Sequence, residues 1–217
     1  MSKSLSVILS FLFAFVFFGC VASSDFYTAK TLEPAKFAPG LGFDDIMIRS
    51  TDNSVKPSTT FAFVPSFLFA CGLPLQFEAD GRFVLPQLLE VSLRDQITPK
   101  SFKLFDFAPD VSFGDLFGEY TYLRYGGTLS KDLGFIEPYI HYHFYHFLHA
   151  TSSDLSGPFF TVDDVSYTVD NDRGIGVGIG IPVGRIEFYP EFDYQYFRND
   201  LRTGMYTFGI GIRGIPK

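Results

Sequence analysis

From Phe26 to the C terminus, apolar residues recur at every second position, the period of a strand whose side chains alternate between two faces. Between Asp172 and Val183, Gly174, Gly176, Gly178 and Gly180 alternate with Ile175, Val177, Ile179 and Ile181. The next stretch sets Arg185, Glu187, Glu191, Asp193 and Gln195 against Ile186, Phe188, Phe192, Tyr194 and Tyr196. Met205 to Arg213 sets Thr207, Gly209, Gly211 and Arg213 against Tyr206, Phe208, Ile210 and Ile212, and Phe61, Phe63, Phe67 and Phe69 oppose Thr60, Ala62, Ser66 and Ala70. No stretch of this region carries the 3.6-residue period of a helix, and there is no internal repeat.

Turn signals divide the chain into ten strands, roughly 36–48, 59–71, 74–82, 87–97, 101–108, 116–129, 133–149, 173–182, 185–197 and 204–213. Short connections at Gly72–Pro74, Thr98–Lys100, Ser130–Asp132 and Pro182–Gly184 alternate with longer ones near 49–58, 109–115, 150–172 and 198–203, and only the one near 83–86 spoils the contrast. That alternation predicts an up-and-down barrel with turns at one rim and loops at the other, and an even strand number puts both termini at the short-turn, periplasmic rim.

Periodicity alone does not say which face is inside. A soluble barrel is apolar within, and a membrane barrel is the reverse. Alternate glycines would weaken a solvent-facing strand to no purpose, but in a narrow lumen they make room for larger neighbours. The charged faces mix signs (Glu78, Asp80, Arg82; Glu90, Arg94), as pairing away from water requires. Phe and Tyr dominate the apolar faces, with 28 Phe and 12 Tyr in 217 residues, like the aromatic girdles of outer-membrane barrels. The expectation is an all-β, closed, antiparallel transmembrane barrel of about ten strands, with eight to twelve as the range. The alternative is a soluble lipocalin-like carrier, lipid-anchored, with Phe61, Phe67, Ile179 and Phe188 lining a cavity for an apolar ligand.

The first residues change the picture of where the barrel resides. Lys3 precedes an apolar run over Leu5–Phe18, too short to span a bilayer as a helix but of signal-peptide length. Gly19-Cys20 resembles a bacterial lipobox, which implies cleavage before Cys20 and lipidation of its thiol; Val21 in place of Asp implies the outer membrane. An ordinary signal peptide cut after Ala22 reads the same residues differently. The expected organisation is a lipoprotein signal peptide at 1–19, a periplasmic tether at 20–35 and an outer-membrane barrel at 36–217. With Cys20 acylated, the other cysteine, Cys71, is expected as a free thiol among apolar groups. A hydrophobic share of 47% excludes wholesale disorder, and a net charge of −7 without basic runs excludes nucleic acid as a partner.

The leader, Thr28-Ala29-Lys30-Thr31-Leu32-Glu33-Pro34 running into Phe37, the hairpin Gly72-Leu73-Pro74-Leu75-Gln76-Phe77 and the ending Tyr206-Thr207-Phe208-Gly209-Ile210-Gly211 resemble an uncharacterised family of bacterial outer-membrane β-barrel lipoproteins. The resemblance implies the same fold and location. The ending Gly214-Ile215-Pro216-Lys217 departs from the aromatic terminus expected for outer-membrane assembly.

The candidate chemistry is a polar cluster in the lumen: Glu137, Tyr139, His141, His143 and Tyr145 on one strand, with Arg185, Glu187, Glu191 and Asp193 two strands away. An H-x-H pair beside carboxylates has the donors of a Zn²⁺ site, but without a flanking motif it reads as a hydrogen-bonded polar plug, and no metal or cofactor is expected. His149 and Thr151, with Ser152, Ser153, Asp154, Asp163 and Asp164 beyond, are faintly similar to outer-membrane lipid A deacylases, but Thr151 stands where the serine should be. No catalysis is expected. The acidic loop 150–172 is the candidate surface for an extracellular ligand or partner, outer-membrane lipid is the expected surrounding, and the sequence carries no reading of oligomeric state.

Overall fold

The structure, a computed structural model, describes residues 24–50, 58–84, 88–99, 102–116, 120–150, 156–157, 160–161, 172–196 and 204–216. It contains β1 (Phe37–Ser50), β2 (Ser58–Gly72), β3 (Phe77–Val84), β4 (Leu88–Asp95), β5 (Asp106–Leu116), β6 (Tyr120–Ser130), β7 (Glu137–Ala150), β8 (Ser156–Gly157), β9 (Phe160–Thr161), β10 (Asp172–Val183), β11 (Ile186–Tyr196) and β12 (Gly204–Gly214). Ten of them form one closed barrel in the order β1-β12-β11-β10-β7-β6-β5-β4-β3-β2, and β8 pairs only with β9. Every barrel pairing is antiparallel, and β1 closes on β12 from Gly40 opposite Arg213 to Arg49 opposite Gly204. Closure leaves no unpaired strand edge, the condition for a sheet to sit in hydrocarbon.

The alternation resolves with the apolar face outward. Phe67, Val91, Phe113, Val177 and Phe208 are about half exposed, whereas Arg94, Arg124, Glu78, Glu191, His141 and His143 are almost wholly buried. The inside-out carrier is thereby excluded: Phe67 and Ile179 point away from the lumen, and the interior is ionic. Phe188 is only half-buried, and the side chain of Phe61 lies outside the described residues.

The connections correct the expected pattern. The start of β1 and the end of β12 share one rim with the connections 73–76, 96–105, 131–136 and 184–185; 51–57, 85–87, 117–119, 151–171 and 197–203 connect the strands at the far rim. Two of the far-rim connections, 85–87 and 117–119, have three residues each, fewer than 96–105 or 131–136, so rim identity follows from where β1 starts and β12 ends rather than from loop length. Segment 109–115, expected as a loop, is the body of β5, and most of the expected strand 101–108 is connection. The reason lies in β5's lumenal face, where Asp106, Asp110, Ser112 and Gly114 are turn formers by composition, while Phe107, Val111 and Phe113 face out. Pro74–Gln76, expected within a strand, forms one 3-10 turn. Cys71 is a free thiol, half-buried rather than enclosed.

Candidate functional site

The lumen is occupied by the chain's own N-terminal segment. Ser24, Asp25, Phe26, Tyr27, Thr28 and Ala29 are all buried, and their partners come from strands around the whole wall. Ser24 Oγ donates to Asp193 (3.0 Å), and the backbone N–H groups of Asp25 and Phe26 both donate to the Glu191 carboxylate (2.5 and 2.9 Å). Arg82 and Arg94 donate to the carbonyls of Ser24 and Thr28, and Arg124 pairs with the Asp25 carboxylate. Lower down, Ala29 N–H donates to Ser130 Oγ (3.1 Å) and Leu32 N–H to Glu78 (2.5 Å). At the rim, Lys30 pairs with Asp132 and Glu137. The expected periplasmic tether at 20–35 is therefore, from Ser24 to Leu32, a plug. The physical reason is mutual: a strand-free segment has backbone donors and acceptors to satisfy, and the lumen wall has charges to cover.

Two kinds of wall hold it. Where Phe26 lies against β1 and β12 the wall is bare: a Cβ at Gly42, Gly209 or Gly211 would lie 2.5–2.6 Å from the Phe26 ring. These glycines form the cradle for that ring. Phe26 itself has a φ of 56°, a left-handed conformation unusual for an aromatic residue, held by the double hydrogen bond to Glu191. From β3 to β6 the wall is ionic. Arg94 pairs with Glu78 and Asp80, stacks 3.9 Å over the Tyr27 ring, and shares Glu78 with Arg213. Arg82 pairs with Asp44, and Arg124 with Glu90, which also accepts from Tyr122 (2.5 Å). A lumenal cavity of about 30 Å³ beside Asp25, Phe26, Asp80 and Arg82 has room for about one water.

Of the nine lumenal residues expected from sequence, Glu137, Tyr139, His141, His143, Tyr145, Glu191 and Asp193 are buried in the lumen. His141 Nε2 meets Asp193 (2.5 Å) and Tyr139 donates to Glu191 (2.5 Å) across β10, whose inward positions are the glycines. Glu187 lies half-buried near the rim, accepting from Tyr189 (2.6 Å). Arg185 is a correction: it is exposed in the two-residue turn Gly184-Arg185, where Gly184 takes a φ of 67°, and β11 starts one residue later. His146 is exposed. The side chain of His149 and all of Thr151–Asp154, Asp163 and Asp164 lie outside the described residues. Sequence reasoning missed Asp25, Arg124, Asp110 and Asp44; the unpaired alternate glycines of β1 and β12 were the signal that something else fills that side.

No protein-family model and no curated protein matches the chain. Solved structures with a similar arrangement include Neisserial surface protein A (10% identity, TM-score 0.42, covering 82% of this chain and 96% of that one). A second is the KdgM porin in complex with disordered oligogalacturonate (9%, 0.44, 79% and 97%). A third is the translocator domain of the autotransporter NalP from Neisseria meningitidis (10%, 0.43, 84% and 89%). Likeness at this level carries no functional information.

Proposed function

We propose that the protein is a bacterial outer-membrane β-barrel with a structural or surface-interaction role, non-catalytic, and closed to solutes by its own residues 24–32. One observation carries this reading: the segment fills the lumen while bonded to inward side chains of β3, β4, β6 and β11. Ten strands enclose a space that side chains nearly fill, and here a peptide shares it. An outward belt of Phe, Leu, Val and Ile around an ionic interior is the transfer pattern for lipid. Interaction then falls to the far rim, where 151–171 is the longest connection.

Lipidation of Cys20 belongs to this reading with one constraint. Asp193, which holds Ser24, stands seven residues up β11 from Ile186, about 18 Å above the terminal rim for a strand tilted by roughly 40°. Four residues of chain reach at most about 14 Å. An acyl group on Cys20 held in the periplasmic leaflet therefore requires the plug to leave the lumen, whereas cleavage after Ala22 is compatible with a seated plug. The mass of the mature N terminus separates the two forms.

The test of the plugged reading is conductance in planar bilayers. Wild-type protein is expected to be silent, and Phe26→Ala or Gly209→Leu, which unseat the segment, to conduct. Steady conductance by the wild type overturns the reading. Cleavage within 151–171 by protease added to intact cells tests the orientation; protection there overturns it.

A further inference from the structure

We propose that the plug is locked by a divalent metal ion of the zinc class, bound by Asp25 of the segment and by His141 and His143 of β7. The ligand set is built from both parts of the lumen, so the ion would join plug to wall. His141 Nδ1 lies 3.2 Å and His143 Nδ1 3.3 Å from the same oxygen, Asp25 Oδ2. A tetrahedral ion with bonds of about 2.0 Å sets its ligand atoms about 3.3 Å apart. The three residues place one donor atom each within 4.8 Å of one another, and all three are buried.

The hydrogen-bond inventory points the same way. His141 Nε2 faces Asp193 (2.5 Å) and His143 Nε2 faces Asp110 (3.1 Å). Carboxylates only accept, so each Nε2 carries a proton; a second proton on Nδ1 would make the ring a cation paired with Asp25, and with the ring neutral each Nδ1 presents a lone pair. Three acceptors then converge with no donor among them. Asp25 Oδ2 and His141 Nδ1 indeed make no hydrogen bond, close in distance but off axis, although both are buried. Buried acceptors left so are costly, and a cation at their focus satisfies all three at once. Two rings each backed by a carboxylate are the outer shell that orients histidine ligands on zinc. Imidazole with carboxylate suits Zn²⁺ and its neighbours rather than the oxygen-seeking Ca²⁺ or Mg²⁺. The fourth position falls to water. Arg124 holds the other Asp25 oxygen, which fixes the carboxylate for one-oxygen ligation.

Because the ligands are buried, the ion enters before the plug seats, so the experiment loads it during folding. Full-length mature protein, unfolded and stripped with a chelator, is refolded in detergent with Co²⁺ as the probe. The expected result is one Co²⁺ per barrel with the visible bands of four-coordinate cobalt, displaced by Zn²⁺. His141→Gln and His143→Gln lose those bands, Asp110→Asn binds about 10–100-fold more weakly, and His146→Ala binds as wild type. Histidine ¹⁵N shifts of the zinc-loaded wild type need no variant to fold: Nε2-protonated, Nδ1-ligated rings are expected at both positions. Absence of stoichiometric cobalt in folded wild-type protein, cobalt bands unchanged in both glutamine variants, or protons on both Nδ1 atoms in the presence of zinc overturns the proposal.

Discussion

The lumen has two unlike walls, and they hold the same peptide by opposite means. On β10 the inward positions are largely glycines, and β1 and β12 each carry glycines at their middle, and what these contribute is absence: space for the Phe26 ring at Gly42, Gly209 and Gly211, and for Tyr139 at Gly178. On β3 and β4 long charged side chains (Glu78, Arg82, Glu90, Arg94) point inward, and they contribute guanidinium groups aimed at plug carbonyls. The bare wall selects by shape and costs little to maintain. The ionic wall is enforced by desolvation, because a buried charge without its partner costs far more than the pair gains. The difference teaches where damage should be severe and where it should be specific.

Damage to the ionic wall should be the most severe. Arg94 serves Glu78, Asp80, the Thr28 carbonyl and the Tyr27 ring together. Arg94→Met leaves Asp80 without its cation and Glu78 with Arg213 alone, and breaking such a buried pair costs about 3–5 kcal/mol. The folded, heat-shifted gel band should melt at markedly lower urea than wild type, with no preference for unseating the plug. Emptying the cradle comes next. Phe26→Ala removes a buried ring, for which about 3–5 kcal/mol is usual, but the left-handed backbone at this residue suits alanine no better, so no strain is recovered. The loss should appear in plug seating: protease should cleave near Ser24 while the strands stay protected. Overfilling the cradle sharpens the comparison. Gly209→Leu collides with the Phe26 ring and should cost about 1–3 kcal/mol. In the double variant with Phe26→Ala the two losses should be less than additive, since the leucine enters the space the ring vacates. Strict additivity would mean that the glycines serve the strands and not the ring.

Much of the barrel was legible because lipid and lumen impose opposite demands on successive residues. The period of two, the ten strands and the apolar faces of β10, β11 and β12 all follow from that alternation. What escaped has physical reasons. The β5 strand was hidden because small and acidic residues on a lumenal face have the composition of a turn. Arg185 was misplaced because a two-residue turn leaves no margin for a boundary error. The plug left no trace in periodicity, since residues 24–32 pair with side chains and not with a neighbouring strand. His141 and Asp193 could be set on facing strands from the pattern, but Asp25, which completes their cluster, comes from outside the pattern altogether.

At the terminal rim the ionic theme continues in water and loses its force. Asp132, exposed in the turn before β7, accepts from Lys30 Nζ and from the Gly134 N–H. These hydrogen bonds, Lys30 first, hold its carboxyl below the usual carboxylate range. A lowered folded pKa stabilises above the unfolded value and is lost as pH falls through the folded one. Screening limits such an exposed pair to about 0.2–1 kcal/mol. Asp132→Asn should therefore lower urea stability slightly at neutral pH and not at all in strong acid. An equal loss at both would show that the turn, not the charge, was disturbed.

The smallest effect should come from a glycine that the chain lacks. Where the segment leaves the lumen, Glu33-Pro34-Ala35-Lys36 forms a turn closed by Lys36 N–H on the Glu33 carbonyl (3.1 Å), and Ala35 takes a φ of 62°. Proline followed by a positive φ is a type II pattern, in which the third position belongs to glycine. Ala35 also donates its N–H to the Gly72 carbonyl (2.8 Å), a bond that glycine keeps. The left-handed conformation costs alanine about 1–2 kcal/mol, and glycine's greater freedom in the unfolded chain returns roughly 0.5–1 kcal/mol of that. Ala35→Gly should thus raise the free energy of unfolding in urea by a few tenths to about 1 kcal/mol, with protease access at Ser24 unchanged. This is the reverse of the cradle: at Gly42, Gly209 and Gly211 glycine is needed for space, whereas at Ala35 it would help only through the backbone. A destabilised Ala35→Gly would mean that the methyl group packs against the barrel's lower rim, and that shape selects there too.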